Sequence, residues 1–295
     1  MIDFVKHRYI ALTLSGLFVL AAIGLYGYRL MTTGQTFAYS VDFTGGAQVL
    51  LKFDKPVSTI QIRDILEKEG MQGVITREFS EDEVLVRVKE LTSDSKLLGE
   101  NIKNTIQSNI PDNNVKILQT EIVGPGVGKT LRWNSIWAVL ISLIAILIYI
   151  AIRFRSAAFA IGAIVALAHD ALVMLAACLI FNREISITVI GAMLAVLGYS
   201  INDTIVIFAR IRDNLKKMPQ ASLEQIVNIS LNSTLRRTLL TSFATMLTVL
   251  AMFILGGEAL RDFSFILLVG IIFGTYSSIY IASPIMMMLY NKKNK

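Results

Sequence analysis

The chain has 295 residues, 54% of them hydrophobic, and its mean hydropathy is +0.60. This composition excludes an ordinary soluble domain and indicates a membrane protein with several spans. The formal net charge is +6, but most of the basic residues fall in loops beside apolar runs, so we expect no nucleic-acid partner. The single cysteine, Cys178, excludes an intrachain disulfide.

Six apolar runs are each long enough to cross a bilayer, which takes about 20 residues. They are Tyr9–Met31, Ser135–Ile152, Ala157–Phe181, Ile185–Ala209, Thr238–Leu255 and Phe263–Tyr290. The first run has no small-residue cleavage site, so we expect a retained helix and not a cleaved signal. Pro284 is expected to kink or end the last run.

The basic residues of the short loops predict how these spans are oriented. Those on one side are Lys6, Arg8, Arg153, Arg155, Arg210, Arg212, Lys216, Lys217, Arg236, Arg237, Lys292, Lys293 and Lys295. Arg183 and Arg261 fall in the short loops of the other side. By the positive-inside rule both termini are predicted to be cytoplasmic. The expected layout is 1–31 for the N-terminus and first span, 32–132 for an outer domain, 133–290 for the other five spans, and 291–295 for a basic tail.

Residues 32–132 have the polarity of a water-soluble domain. Their pattern predicts strand Ala47–Phe53, helix Val57–Glu69, strands Val74–Phe79 and Val84–Val88, helix Asp94–Asn109 and strand Val115–Ile122. The order βαββαβ is that of a ferredoxin-like domain, whose helices cover one face of the sheet. The segment has no Ser/His/Asp set and no Cys/His cluster, so we expect neither an enzyme active site nor a cofactor.

A glycine-rich stretch, Gly124–Gly128, joins this domain to the second apolar run. It resembles a phosphate loop, but Val123 stands where that pattern needs its first glycine, and a span follows. We therefore interpret Gly124, Gly126 and Gly128 as a hinge whose glycines absorb backbone rotation.

The loop 210–237 is predicted to be cytoplasmic. Leu223, Ile226, Val227 and Leu231 follow Ser222 at helical spacing. Ser222 is a candidate N-cap. The pattern predicts a short amphipathic helix at the membrane surface.

Asn202 and Asp203 stand side by side well inside the fourth run. A carboxylate facing lipid costs several kcal/mol, so such a residue faces a protein interior or a water-filled path. Gly191, Ala195 and Gly198 give the same helix a smooth face for another helix. These features are typical of a transport element and not of a plain anchor.

The fifth run opens at Arg237 and carries Thr241, Thr245 and Thr248 on one face. Two interpretations stay open. Arg237 is either a headgroup anchor or a counter-charge for Asp203, and the threonine hydroxyls either bond to their own helix or form a hydroxyl track. A direct pair with Asp203 requires the fifth helix to start before Arg237, or a water between the two side chains.

His169 and Asp170 lie midway in the third run. The pair is compatible with a packing hydrogen bond or a proton path. A metal site would need more ligands, and His7 is the only other histidine. In the sixth run Gly270 and Gly274 predict a packing face.

Three motifs match a known family. Val41–Asp42–Phe43–Thr44–Gly45–Gly46 follows the first run, Gly198–Tyr–Ser–Ile–Asn–Asp–Thr204 lies in the fourth, and Leu235–Arg–Arg–Thr–Leu–Leu–Thr–Ser242 opens the fifth. They resemble the signatures of the SecD/SecF family of the RND superfamily, over essentially the whole chain. Val41 departs from the phenylalanine that is common at that position.

The resemblance implies a polytopic α-helical half-transporter with six spans. Asp42, Phe43, Gly45 and Gly46 match the family signature. Asp203, with Asn202 beside it, and Arg237 match the family's essential intramembrane acid and base at an interface with SecD. Thr241 matches a hydroxyl in the proton path.

The implied role is that of the SecF subunit in bacterial protein export at the inner (plasma) membrane. With SecD, such subunits use the proton-motive force to promote late translocation of preproteins through conformational cycling of the outer domain. The implied partners are SecD, the SecY/SecE/SecG channel, SecA indirectly, YajC and YidC, the unfolded preprotein and membrane lipids. Other hypotheses are a half-transporter for a small molecule or lipid, an intramembrane enzyme built on His169 and Asp170, and a structural scaffold.

Overall fold

The computed structural model describes residues 1–34, 36–71, 73–88 and 95–293. The chain divides into two compact units, Met1–Ala38 with Ile136–Lys295, and Tyr39–Ser135. In chain order the elements are a 3-10 turn (Val5–His7), α1 (Arg8–Thr33), β1 (Ala38–Tyr39), α2 (Val41–Thr44), β2 (Gly46–Phe53), α3 (Thr59–Lys68), β3 (Ile75–Ser80), β4 (Glu83–Val88), α4 (Ser95–Asn109), β5 (Val115–Val123), α5 (Pro125–Phe154), α6 (Ala157–Ile180), β6 (Glu184–Ile185), α7 (Ile187–Lys217), α8 (Leu223–Leu255), α9 (Glu258–Ser277), a π-helical turn (Ser278–Ala282) and α10 (Ser283–Lys293).

Within the described residues, 6 helical segments are long and apolar enough to cross a membrane. They differ in how far the rest of the chain covers them. The apolar windows of α6, α7 and the α9–α10 run are 67%, 56% and 50% buried, whereas those of α8, α1 and α5 are 17%, 11% and 6% buried. Helices α6, α7 and α9 therefore form the core of the bundle, and the other three present apolar faces to lipid or to another subunit.

Glycines let α9 pack closely against α7. A Cβ at Gly270 would lie 2.5 Å from both γ-methyl groups of Val196, and one at Gly274 would lie 3.0 Å from the Cβ of Ser200. The predicted packing face is confirmed. Of the two expected effects of Pro284, a kink or an end, the end is excluded, because the helix continues to Lys293. The π-helical turn precedes the proline, and the Ser283 hydroxyl donates to the Ser278 carbonyl at 3.1 Å.

The small α+β domain within residues 39–135 has the predicted βαββαβ order. Its sheet runs β3-β4-β2-β5 with every pair antiparallel. Alternate residues of the central strands, such as Val49 and Val86, pack against α3 and α4. Helix α3 begins at Thr59, after Ser58, and not at the predicted Val57. The predicted start of the second helix at Asp94 lies outside the described residues.

The segment 210–237 differs from its prediction. Helix α7 continues to Lys217, and the predicted surface helix and the fifth span form the single helix α8 from Leu223. Ser222 is the N-cap, as predicted, and forms a capping box with Gln225. The prediction of a separate membrane-surface helix is wrong, because the apolar stripe is buried within the protein and not against lipid: Ile226, Val227 and Leu231 are 2%, 1% and 3% exposed.

The glycine-rich stretch is also more regular than predicted. Pro125 is the first residue of α5, and Gly126 and Gly128 lie in its first turn. A Cβ at Gly128 would lie 3.0 Å from the Gly45 amide nitrogen and 3.3 Å from the Asp42 carbonyl oxygen. From Pro125 onward this stretch is therefore helical and not an irregular loop, and the absence of a side chain at Gly128 permits close contact with the signature turn at residues 41–46.

The first residues of the chain are held by the start of α8. The Ile2 N–H donates to Asn232 Oδ1 at 2.9 Å, and Asn232 Nδ2 donates back to the Ile2 carbonyl at 2.8 Å. The Phe4 N–H donates to Asn228 Oδ1 at 2.9 Å. We call these contacts the N-terminal clasp. It fixes the segment before α1 to the helix that carries Arg237.

Candidate functional site

Asp203 lies on α7 with a side chain turned into the bundle, and it is only 4% exposed. The Ser242 hydroxyl of α8 lies next to its carboxylate. The Oδ2 atom is buried and accepts no hydrogen bond from any described residue. Buried carboxylate oxygens without a donor are costly and rare, so this atom marks a position where a proton, a water or a partner group fits.

Arg237 is the cation that acts on Asp203. Helix α8 begins at Leu223, so Arg237 lies inside the helix. This start before Arg237 is one of the two conditions expected from the sequence for a direct pair with Asp203. The Arg237 charge attracts the Asp203 carboxylate, but the two described side chains form no direct ion pair. Arg237 itself is exposed on the surface of the chain.

The threonines of α8 bond chiefly to their own helix, although the Thr245 hydroxyl also lies 3.4 Å from the Tyr199 hydroxyl, which is near Ser242. The hydroxyls of Thr241, Thr245 and Thr248 donate to the carbonyls of Arg237, Thr241 and Ala244, at 3.1, 2.9 and 3.2 Å. These bonds match the interpretation in which hydroxyls bond to their own helix. Thr241 and Asn202 are both exposed on this chain.

Ser242, the residue after Thr241, is a hydroxyl of α8 that lies beside the Asp203 carboxylate. Its hydroxyl pairs with Thr275 of α9 at 2.7 Å and lies 3.5 Å from the Tyr199 hydroxyl. Ser242 and Tyr199 both stand in the motifs quoted above, next to residues that were chosen. The sequence motifs therefore contain these hydroxyls, but the rotation of each helix, which decides which hydroxyl faces Asp203, cannot be read from them.

A second polar cluster surrounds Asp170, which is completely buried. Its Oδ2 accepts hydrogen bonds from Ser200 at 2.7 Å and Ser277 at 2.9 Å, and Oδ1 lies 3.3 Å from His169 Nδ1. The bonds from Ser200 and Ser277 match the interpretation of a packing hydrogen bond, and a proton path at this pair stays a hypothesis. No group of three or more potential metal ligands occurs among the described residues.

The small-residue face of α7 is open on this chain. Gly191, Ala195 and Gly198 are exposed, in line with Asn202. A Cβ at Gly191 or Gly198 would meet no described atom within 4 Å. The face predicted to receive another helix is therefore left uncovered by the chain's own helices.

The signature turn of the small α+β domain depends on glycine. Gly45 and Gly46 have φ angles of 71° and 116°, which side-chain-bearing residues rarely adopt. The Ser40 hydroxyl donates to Asp42 Oδ2 at 3.0 Å, and the Phe43 ring lies edge-on to Tyr39. The four predicted signature residues thus form one compact turn, against which Gly128 packs.

Glu121 on β5 faces this turn. Burial, together with the negative charge of Asp42, raises the pKa of Glu121 above its usual value, although Gln119 donates to it at 2.7 Å. A carboxyl with a raised pKa in the folded state opposes folding once it is ionised. Its penalty is absent below the unfolded pKa, about 4.3, and is complete above the folded pKa.

Replacing Glu121 with glutamine is therefore expected to stabilise the protein at neutral pH and to leave it unchanged near pH 4. The measurement is the thermal unfolding midpoint of the purified full chain at both pH values. The matched control is Glu100→Gln, at an exposed position on α4. An equal gain at both pH values would show that the ionised carboxyl is not the cause.

Comparison with known proteins places the chain in a family. A family model described as protein export membrane protein SecD/SecF, C-terminal, matches residues 102–292, and the SecD/SecF GG motif model matches residues 32–57. The chain belongs to the SecD/SecF family. The resemblance noted from the motifs is thus confirmed.

Individual members of the SecD/SecF family match over almost their whole length. A protein translocase subunit SecF from Endomicrobium trichonymphae is 34% identical over 294 residues, covering 100% of this chain and 93% of the relative. The SecF subunit from Escherichia coli O157:H7 is 35% identical, covering 99% and 88%. These names describe translocation and not catalysis.

A solved structure of SecDF from Thermus thermophilus superposes with a TM-score of 0.87 at 35% identity, covering 100% of this chain. The chain spans 39% of that SecDF chain. The match confirms the fold class of six membrane helices with a small α+β domain. The SecD/SecF GG motif region includes Asp42, Phe43, Gly45 and Gly46.

Proposed function

We propose that this chain is the SecF-type subunit of a protein translocase, and that it works with a SecD-type partner to drive late preprotein translocation with the proton-motive force. The observation that carries the proposal is the buried Asp203 carboxylate, whose Oδ2 has no donor among the described residues while Arg237 and Ser242 lie near it. The similarity to SecF subunits over the whole chain supports the assignment.

Asp203 is the group that we propose binds and releases the proton. A buried carboxylate close to a cation is held between two opposing effects, since burial favours the neutral acid and the cation favours the anion. A small movement of α8 therefore changes which form is favoured. Each proton that crosses 100 mV releases about 2.3 kcal/mol.

We propose that the SecD-type partner packs on the open face of α7. Small residues there let a helix approach closely, and Asn202 would supply a hydrogen bond. Arg237 and Thr241 are exposed on α8. In this proposal the partner encloses Arg237 and Thr241, so that the proton path is completed at the interface.

The energy released by proton transfer is proposed to leave as motion of the outer domain. The proposed hinge is Gly124, between β5 and α5, together with Gly126 in the first turn of α5, and a change in their backbone angles would change the direction of the chain there. Gly128 packs against Gly45 and would keep the start of α5 on the domain during that motion. The sheet face opposite α3 and α4 is the proposed contact surface for unfolded preprotein.

The proposed setting is the bacterial inner membrane, with both termini cytoplasmic and residues 32–132 on the outer side. Residues 133–290 would complete the bundle, with loop 210–237 and tail 291–295 in the cytoplasm. The SecY/SecE/SecG channel would lie next to the complex and SecA would act before it. YajC and YidC are proposed as further contacts.

Reconstituted vesicles test this function. The full chain, its SecD-type partner, the channel and SecA are combined, a preprotein is started across, and SecA is then stopped by removing ATP. An imposed proton gradient is expected to complete translocation of the arrested preprotein, and vesicles without this chain are expected to show no such step. Protease protection of the preprotein measures the result.

A different transported molecule is the rival interpretation. If the gradient drives flux of a small molecule or lipid in these vesicles but has no effect on the preprotein, the proposal is wrong and a small-molecule half-transporter replaces it. If the gradient affects neither, the chain has a scaffold role.

A further inference from the structure

The carboxylate of Asp170 differs from that of Asp203 in its hydrogen bonds. Asp170 is 0% exposed and receives two serine hydroxyls, while its other oxygen faces the imidazole of His169. Asp203 has one oxygen without any donor among the described residues. A carboxylate supplied with donors from separate helices is suited to hold those helices in place.

One connection from Asp170 to Asp203 runs along α7. Ser200, which donates to Asp170 at 2.7 Å, lies three residues before Asp203. Residues at this spacing are neighbours on a helix surface. Holding the Ser200 side chain therefore fixes the rotation of α7 and with it the direction in which Asp203 points.

A second connection runs through α9. Ser277, the other donor to Asp170, lies two residues after Thr275, whose hydroxyl pairs with Ser242 beside Asp203. At the same level α9 touches α7 closely, because a Cβ at Gly274 would lie 3.0 Å from that of Ser200. The two carboxylates are thus joined through one short segment of α9.

We infer that Asp170 is a positioning residue for Asp203: it accepts hydrogen bonds from Ser200 and Ser277 and so holds α7 and α9 where Ser242 meets the Asp203 carboxylate. This inference rests on the proposed function of Asp203. It assigns Asp170 no proton transfer. Its hydrogen bonds can be remade by a neutral side chain of the same shape, since asparagine accepts through Oδ1 and donates through Nδ2.

The test compares Asp170→Asn and Asp170→Ala in the full chain, assembled with its partner in the export vesicles described above. Asp170→Asn is expected to lower gradient-driven translocation by no more than about threefold, because one set of hydrogen bonds replaces another. Asp170→Ala removes the acceptor of both serines and is expected to lower it by about tenfold or more. The thermal unfolding midpoint of the purified chain should fall in the alanine variant and much less in the asparagine variant.

Serine variants keep the test decisive if Asp170→Ala fails to accumulate. Ser277→Ala is expected to lower translocation by about threefold, since it removes one neutral donor. Ser264→Ala is the matched control, because Ser264 is equally buried on α9 but donates to Leu260 of its own helix. Equal activities of the Ser277 and Ser264 variants would overturn the inference.

The outcomes separate this inference from the proposed function. If Asp170→Asn is as inactive as Asp203→Asn, Asp170 must change its charge during the cycle, and the positioning role is wrong. If Asp170→Ala keeps full activity and an unchanged midpoint while Asp203→Asn is inactive, the inference fails alone. If Asp203→Asn is fully active, the proposed function itself fails.

Discussion

Asp203→Asn is expected to abolish gradient-driven preprotein translocation in the vesicle assay, leaving only the part that SecA drives with ATP. Asparagine has nearly the shape of aspartate and keeps a hydrogen-bond acceptor for Ser242, but it cannot gain or lose a proton in the physiological range. The bundle should therefore assemble normally while the proton-coupled step stops. Protease protection, measured with and without the gradient, gives the size of the loss.

Asp213→Asn is the matched control for this change. Asp213 lies on the same helix α7 but is exposed, near the end of its extension beyond the apolar run. The Asp213→Asn variant should translocate preprotein like the unmodified chain. A substantial gradient-driven rate in Asp203→Asn would contradict proton exchange at this carboxylate and would favour the scaffold role.

Gly270→Val is expected to prevent normal packing of the bundle, and Gly270→Ala to weaken it. Even the single methyl group of alanine would lie 2.5 Å from both γ-methyl groups of Val196 and 2.9 Å from Met174 Sδ. A β-branched side chain on a helix has little rotational freedom, so Val196 cannot turn away and α9 must move. Overpacking of this kind costs about 1–3 kcal/mol for the smaller change.

The unfolding midpoint of the purified chain in detergent measures this effect, together with the amount of protein in the membrane. Gly24→Ala on α1 is the control, because a Cβ there meets nothing within 4 Å. It should match or exceed the unmodified chain, since alanine favours a helix by up to about 1 kcal/mol over glycine. Equal midpoints for the two alanine variants would show that α7 and α9 do not need this close contact.

The outline of the fold could be predicted from the sequence because hydrophobic periodicity is a local property. Runs of apolar residues indicated the spans, and alternation with helical spacing indicated the βαββαβ domain. The α8 prediction was wrong for a non-local reason. A stripe such as Ile226, Val227 and Leu231 looks the same whether it faces lipid or protein, and only the position of α7 and the N-terminal segment decides between them.

The sequence identified the acid of the candidate site, Asp203, but not all of the side chains around it. Asp203 was identified because a carboxylate in an apolar run has a large cost, whatever the rest of the fold. Thr241 was named for the proton path by resemblance and stays a prediction, whereas the buried hydroxyl beside Asp203 is that of Ser242. Adjacent residues differ by about 100° around a helix, so the choice between them requires the packing of α8 against α7 and α9.

The N-terminal clasp limits which amino acids can stand at position 2. Asn232 contacts the Ile2 backbone at both its N–H and its carbonyl, while the residue Ile2 is 55% exposed. The contact is therefore indifferent to the chemistry of the second side chain but requires its amide hydrogen. Every amino acid except proline supplies that hydrogen. Any residue other than proline at position 2 is therefore expected to keep this attachment to α8.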